Sequence, residues 1–252
     1  MSETEDPQAG GRPLKLDSPL LVQWEYASEE RLAVRNETYK DLAEGISAED
    51  VMFDAVREAD PQRMLEVGCG TGEFAARIRE EIGAEVCAVD VSPRMVELSR
   101  ARGLDARLAD VQELPFEDGA FDCVVAAWVL YHVPDLHRGL SEIARVLTDG
   151  GLVVAATMGE GNLAELWEAV GYRATRGLTF GADNGAAALE RWFTDVERRD
   201  AQGTVVFPDR AAMRRFVAAT ITRAHLADQV HEIDEPFRAR TSHVVFTARK
   251  AS

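Results

Sequence analysis

The residues best suited to chemistry begin at Leu65-Glu66-Val67-Gly68-Cys69-Gly70-Thr71-Gly72, between a short apolar run and a stretch of helical periodicity. Glycines at a strand-to-helix turn let a ligand approach the backbone, and the start of a helix presents unpaired N–H groups. Such a turn serves either a dinucleotide or another adenosyl ligand, and spacing separates the two. Counted from Gly68, the dinucleotide fingerprint G-x-G-x-x-G needs glycine at position 73, where Glu73 stands. Glu66, two residues ahead of Gly68, would repel a pyrophosphate and suits a cationic end such as an ammonium group. Asp90 closes the next apolar run, where a carboxylate can accept both hydroxyls of a ribose; it can equally start the turn ahead of Ser92-Pro93. Asp110 closes a third run. It can accept from an adenine amino group, with Val111 against the ring, or simply open a surface turn. If these runs are neighbouring parallel strands, the three carboxylates converge on one crevice. They describe a ligand with an ammonium group, a ribose diol and an adenine, and no phosphate.

A second kind of chemistry is proton transfer. His132 follows the β-like run Phe121–Ala127 beside Tyr131 and is the candidate general base. Tyr131 either packs or orients an acceptor. His137, His225 and His231 are read as surface residues, and Arg210, Arg214 and Arg215 as a solvated helix face. Trp167, Trp192 and Phe193 either wall an acceptor pocket or fill core.

Alternating elements must position these residues. Met64–Val67, Glu85–Asp90, Arg107–Ala109, Phe121–Ala127 and Leu152–Ala156 read as strands. Helical periodicity falls on Glu73–Ile82, Pro93–Arg102 and Leu136–Leu147. This rhythm predicts βαβ units and a doubly wound, mostly parallel α/β sheet covered on both faces. Residues 18–60 look helical, with a break at Gly45 and an N-cap at Ser47. Residues 1–17 read as a disordered tail. Further helices are expected at Asn162–Val170, Ala186–Phe193 and Arg210–Ala224, and strands at Val196–Phe207 and His243–Ala248.

The segments LEVGCGTG (65–72), AVDVSPRM (88–95), ADVQELPF (109–116), FDCVVAAWVLYHV (121–133) and LTDGGLVVA (147–155) resemble class I S-adenosylmethionine-dependent methyltransferases. The likeness is to the ubiquinone/menaquinone-biosynthesis-like, type 11 group. The resemblance implies a Rossmann-like seven-stranded sheet with the last strand antiparallel. It implies a helical lid over residues 18–60, a cofactor-binding core over 61–157, and sheet completion with an acceptor cap over 158–252. It places Glu66, Gly68, Cys69, Gly70 and Gly72 near the methionine and ribose. Asp90 falls on the ribose hydroxyls, and Val91 and Met95 near the adenine. Asp110 and Val111 fall at the adenine amino group and ring, and the Ala127 backbone at the ammonium group. In the lid, Trp24 and Tyr26 would cover the adenosyl moiety, form an acceptor wall or simply pack, and Arg35 would meet the cofactor's carboxylate or lie in solvent. The implied reaction is transfer of a methyl group from S-adenosyl-L-methionine to an oxygen or nitrogen of a small-molecule acceptor, leaving S-adenosyl-L-homocysteine.

Composition narrows the alternatives. The 252 residues are 46% hydrophobic and 29% charged, with a net charge of −16, which is ordinary for a globular chain but hostile to nucleic-acid backbones and anionic membranes. The acceptor is therefore expected to be a diffusible small molecule, with no nucleic-acid or membrane partner and a monomeric or homodimeric chain. Cys69, Cys87 and Cys123 are odd in number and sit in apolar runs, which argues for a reducing, cytoplasmic setting and against a disulfide framework or a metal site. Two other functions stay open on the residues alone. A nicotinamide-dependent oxidoreductase is disfavoured by Glu66 and Glu73, and a non-catalytic S-adenosylmethionine-binding protein would bind without turnover.

Overall fold

Apolar runs that are buried on both faces read as continuous rather than alternating, and the sheet centre follows that rule: Met64, Leu65 and Val67 are fully buried, as are Val124 and Val125. The computed structural model describes residues 15–172, 177–232 and 236–251. Among the described residues the first elements are α1 (Pro19–Glu25), α2 (Glu30–Leu42), β1 (Ala43–Gly45) and α3 (Ala48–Ala59). The chain continues through β2 (Arg63–Val67), α4 (Glu73–Glu81), β3 (Glu85–Asp90), α5 (Pro93–Ala101), β4 (Asp105–Leu108) and β5 (Phe121–Ala127). Then follow α6 (Leu136–Val146), β6 (Leu147–Met158), α7 (Ala164–Ala169), α8 (Gly185–Leu189), β7 (Thr194–Phe207), α9 (Arg210–Ala218) and β8 (Phe237–Arg249).

The sheet has eight strands in the order β1-β7-β8-β6-β5-β2-β3-β4. Strands β2 to β6 are parallel, and β8 is antiparallel to both β6 and β7. From β2 the chain winds outward to β3 and β4, then returns to the other side of β2 as β5 and β6. The winding therefore reverses between β2 and β5. A crevice opens there beyond the carboxyl ends of the strands, the usual ligand position in such sheets. Helices cover both faces. Leu65, Val124 and Val153 point into one buried cluster, and Met64, Val125 and Val154 into the other. A third cluster, with Leu166, Trp167, Phe207 and Phe216, lies under the C-terminal elements.

Several expectations change. The seven expected strands gain an eighth, the three-residue β1, which pairs with β7. Residues 18–60 are therefore not purely helical. Gly45 leaves the helical path at φ +110°, and a Cβ there would lie 2.7 Å from Gly203 Cα. Ser47 does cap α3, its hydroxyl accepting from the Asp50 N–H. Helix α8 is shorter than the expected 186–193, with Phe193 turning into the main core and Trp192 packed against it. Helix α9 stops at Ala218, because Thr220 is extended and the chain resumes as a 3-10 turn over Ile221–Gln229. Of the expected tail, residues 1–14 lie outside the described residues, whereas Lys15 already accepts from the Ser18 N–H.

Candidate functional site

One cavity of about 1940 Å³ runs along the switch point, with Glu66, Asp90 and Asp110 all on its wall. The common cleft expected for the three carboxylates is therefore present. Glu66 lies near the end of β2 and is 2% exposed, and its Oε2 has no hydrogen-bond partner. Burial is the main cause that pushes its carboxyl up to about 8, with a hydrogen bond from the Ala75 backbone opposing and the negative charges of Asp90 and Glu49 adding. A buried carboxyl with an unpaired oxygen facing a cavity fits a cationic group of a ligand.

Asp90 ends β3. Its Oδ2 accepts from Gly70 N at 2.9 Å and its Oδ1 from Ser92 N at 2.8 Å. Burial raises its pKa, and the backbone N–H groups of Ser92, Gly70 and Val91 oppose that shift. Each carboxylate oxygen has two lone-pair directions. Holding the turn therefore leaves acceptor capacity for a diol, and the two roles weighed for Asp90 are compatible. Asp110 is exposed and accepts from the Gln112 backbone at 2.8 Å, beside the buried Val111. Val91 sits on the cavity rim, 47% exposed.

The glycines divide by task. Gly68, Cys69 and Gly70 line the cavity. A Cβ at Gly68 would lie 2.4 Å from Val129 Cγ2, so this glycine admits a neighbouring side chain rather than a ligand. Gly72 is off the cavity wall: its Cβ would meet Ser99 Oγ at 2.7 Å and Leu104 at 2.8 Å, which marks close packing of α4's start on α5. Met95, expected at the adenine, is also off the wall. It is fully buried in the first turn of α5, where its N–H meets the cap oxygen of Ser92 at 3.3 Å. Ala127 lines the cavity and pairs with Ala156; Trp128, next in the chain, turns through φ +53°.

His132 reaches the cavity but is already committed. Its Nδ1 is 2.8 Å from the Leu16 carbonyl and its Nε2 is 3.1 Å from Tyr26 Oη. A carbonyl only accepts, so Nδ1 carries the proton and Nε2 receives the Tyr26 O–H. Burial, chiefly, lowers its pKa to about 4. Both ring nitrogens are thus engaged within the chain, which ties Leu16 and Tyr26 to the segment after β5 and leaves no lone pair free for the general-base role expected of His132. The same N-terminal segment is tied elsewhere: Ser92 Oγ donates to the Tyr26 carbonyl at 2.7 Å, and Arg94 grips Glu29 through both oxygens at 2.9 and 2.7 Å. Arg35 lines the cavity but is paired with Glu25 and donates to the Ala219 carbonyl at 2.7 Å.

Beyond Ala127 the wall is aromatic. Trp128 meets His243 edge-on at 5.7 Å, His243 meets Tyr39 at 5.2 Å, and Tyr39 meets Phe216 at 6.0 Å. Phe216 meets Trp167 at 6.2 Å. Among the wall candidates named from sequence, Trp167 lines the cavity and Trp192 and Phe193 do not; Trp24 is off it too, covered by Arg31 at 4.4 Å. His243, Tyr39 and Arg223 escaped notice because they come from β8, α2 and the 3-10 turn, with no motif linking them. His225 and His231 are exposed, and Arg210 and Arg214 pair with Glu232 and Asp228, away from the cavity. Among the described residues, no group of three or more His, Cys, Asp or Glu side chains could hold a metal, and no helix is long and apolar enough to cross a membrane. All three cysteines are free and buried.

Residues 65–155 match a protein family described as "Methyltransferase domain". Demethylmenaquinone methyltransferase of Thermus thermophilus is 41% identical over 108 residues, covering 40% of this chain and 49% of that protein. Malonyl-[acyl-carrier protein] O-methyltransferase of Geobacter sulfurreducens is 33% identical over 174 residues, or 63% of this chain and 65% of that protein. The chain thus spans between about half and two thirds of these relatives' length. Among solved structures, the [4+2]-cyclase SpnF aligns at TM-score 0.60 and 20% identity over 91% of this chain and 96% of that one. The shared architecture is the Rossmann-like methyltransferase fold. A cyclase with this architecture means that the fold alone does not decide the reaction.

Proposed function

We propose that this chain, whose residues 65–155 form a class I S-adenosylmethionine-dependent methyltransferase domain with S-adenosylmethionine as its cofactor, transfers a methyl group to an oxygen or nitrogen of a small-molecule acceptor. One observation carries the proposal: a single cavity joins three carboxylates at one end to an aromatic wall at the other. The carboxylate end suits the cofactor. Glu66 faces its ammonium group, Asp90 takes its ribose diol, and Asp110 with Val111 takes its adenine. When bound, the cofactor supplies an electrophilic methyl group whose leaving group is a neutral thioether. The protein's work is then to align the acceptor and exclude water, an effect worth several kcal/mol.

His243 is the better candidate for touching the acceptor. It is buried on the cavity wall, and among the described residues its ring has no hydrogen-bond partner. Burial lowers its pKa to about 4, so at neutral pH one ring nitrogen is a free acceptor for an acceptor's O–H or N–H. His132 holds the Tyr26 hydroxyl and acts as a positioning residue. The test is incubation of acceptor pools with methyl-labelled cofactor, followed by variants on the acceptor found. His243→Ala is expected to lower kcat at least tenfold, and His132→Ala to raise the cofactor KM more than it lowers kcat. The absence of labelled product from any pool, despite tight cofactor binding, would contradict the transferase assignment.

A further inference from the structure

Among the described residues, the cavity wall carries a guanidinium whose buried nitrogen has no hydrogen-bond partner. Arg223, in the 3-10 turn after α9, lies on the cavity wall with its guanidinium carbon 4.2 Å from the Trp167 ring centre and 4.4 Å from that of Tyr172. Its Nε is buried without a hydrogen-bond partner, and among the described residues it forms no ion pair. Glu160 and Glu168 line the same cavity and do not pair with it. Arg35, Arg94 and Arg102, which line the same cavity, are paired with Glu25, Glu29 and Glu73. A guanidinium stacked on two rings is fixed in direction, and an unpaired buried donor calls for an acceptor from outside the chain.

Arg223 also terminates the aromatic run that starts beside Ala127. From Trp128 the rings pass through His243, Tyr39 and Phe216 to Trp167, which carries the guanidinium. An acceptor laid along this run would have its reacting end near Trp128 and His243, an apolar body against Tyr39 and Phe216, and its far end at Arg223. We propose that the methyl acceptor is an elongated, largely apolar acid whose carboxylate is bound by Arg223, at the opposite end from the methylated atom. The net charge of −16 makes the position of this guanidinium informative, because the chain as a whole does not favour anions.

This inference rests on the methyltransferase proposal, and the test separates the two. The full chain is saturated with S-adenosylhomocysteine and titrated calorimetrically with 8-hydroxyoctanoate and 3-(4-hydroxyphenyl)propanoate, each beside its primary amide. The expected result is that at least one acid binds ten times more tightly than its amide. In Arg223→Met that preference falls below twofold, and Arg223→Lys, which keeps the charge but not the planar fork, retains part of it. S-adenosylhomocysteine affinity in the same samples reports folding and the cofactor site; its absence in the unmodified protein would overturn the methyltransferase assignment itself. With cofactor product bound, equal affinity for acid and amide, no binding of either acid, or a preference that survives in Arg223→Met would overturn the role of Arg223.

Discussion

Glu66 retains its proton in the ligand-free protein because burial raises its pKa to about 8 from an ordinary 4.5. A cationic ligand favours the ionised form, so binding at neutral pH must expel that proton. Cofactor affinity is therefore expected to rise from pH 6 to pH 8. Calorimetry in two buffers of different ionisation heat should show close to one proton released at pH 7, and none in Glu66→Gln; equal release in both would remove Glu66 from the site. Stability has the opposite sign. The folded carboxyl holds a proton that the unfolded one has lost, so its contribution is complete below pH 4.5 and disappears as pH rises towards 8. Asp90 differs because backbone N–H groups of Ser92, Gly70 and Val91 oppose the rise that burial causes, and two of them fix its oxygens in place. Its place at a strand end on the wall of the cleft was legible in the sequence, because it closes an apolar run that follows the glycine turn. The partners of His132 were not, because Leu16 and Tyr26 are more than a hundred residues away in the chain.

At the level of elements, the β2–α4 turn and the N-terminal segment with α1 and α2 form part of the cavity wall. The turn depends on Gly68, which has φ +68° and a Cβ position only 2.4 Å from Val129. Gly68→Ala should cost about 2–4 kcal/mol from strain and overpacking together, read from urea denaturation; a loss below about 0.5 kcal/mol would show that the turn relaxes. The N-terminal segment is held partly by neutral His132. Its pKa of about 4 lies below the ordinary 6.5, so that hold is complete above pH 6.5 and is lost as pH falls through 4. Limited proteolysis should cut between α1 and α2 faster at pH 4.5 than at pH 7, and His132→Ala should be cut rapidly at both. A pH-independent rate in the native chain would contradict this account. The helical texture of residues 18–60 was readable from periodicity. β1 was not, because three exposed residues have no pattern and owe their strand to pairing with β7.

Across the whole molecule, the order of strands and helices from β2 to β6 followed from apolar runs and glycine turns, because a parallel sheet buried on both faces writes itself into sequence. The aromatic end of the cavity did not, because it is assembled from α2, α7, α9, the 3-10 turn and β8, which meet only through tertiary packing. One cavity unites the readable end with the unreadable one, and the claim that it binds a cationic, phosphate-free adenosyl ligand underlies the rest. The most direct test is calorimetric titration of the chain and of Asp90→Ala with S-adenosylhomocysteine and, separately, with NADH. Binding of S-adenosylhomocysteine that weakens by about 1–3 kcal/mol in Asp90→Ala, with no heat from NADH, is the predicted result. NADH binding without S-adenosylhomocysteine binding, or an affinity indifferent to the loss of Asp90, would contradict it.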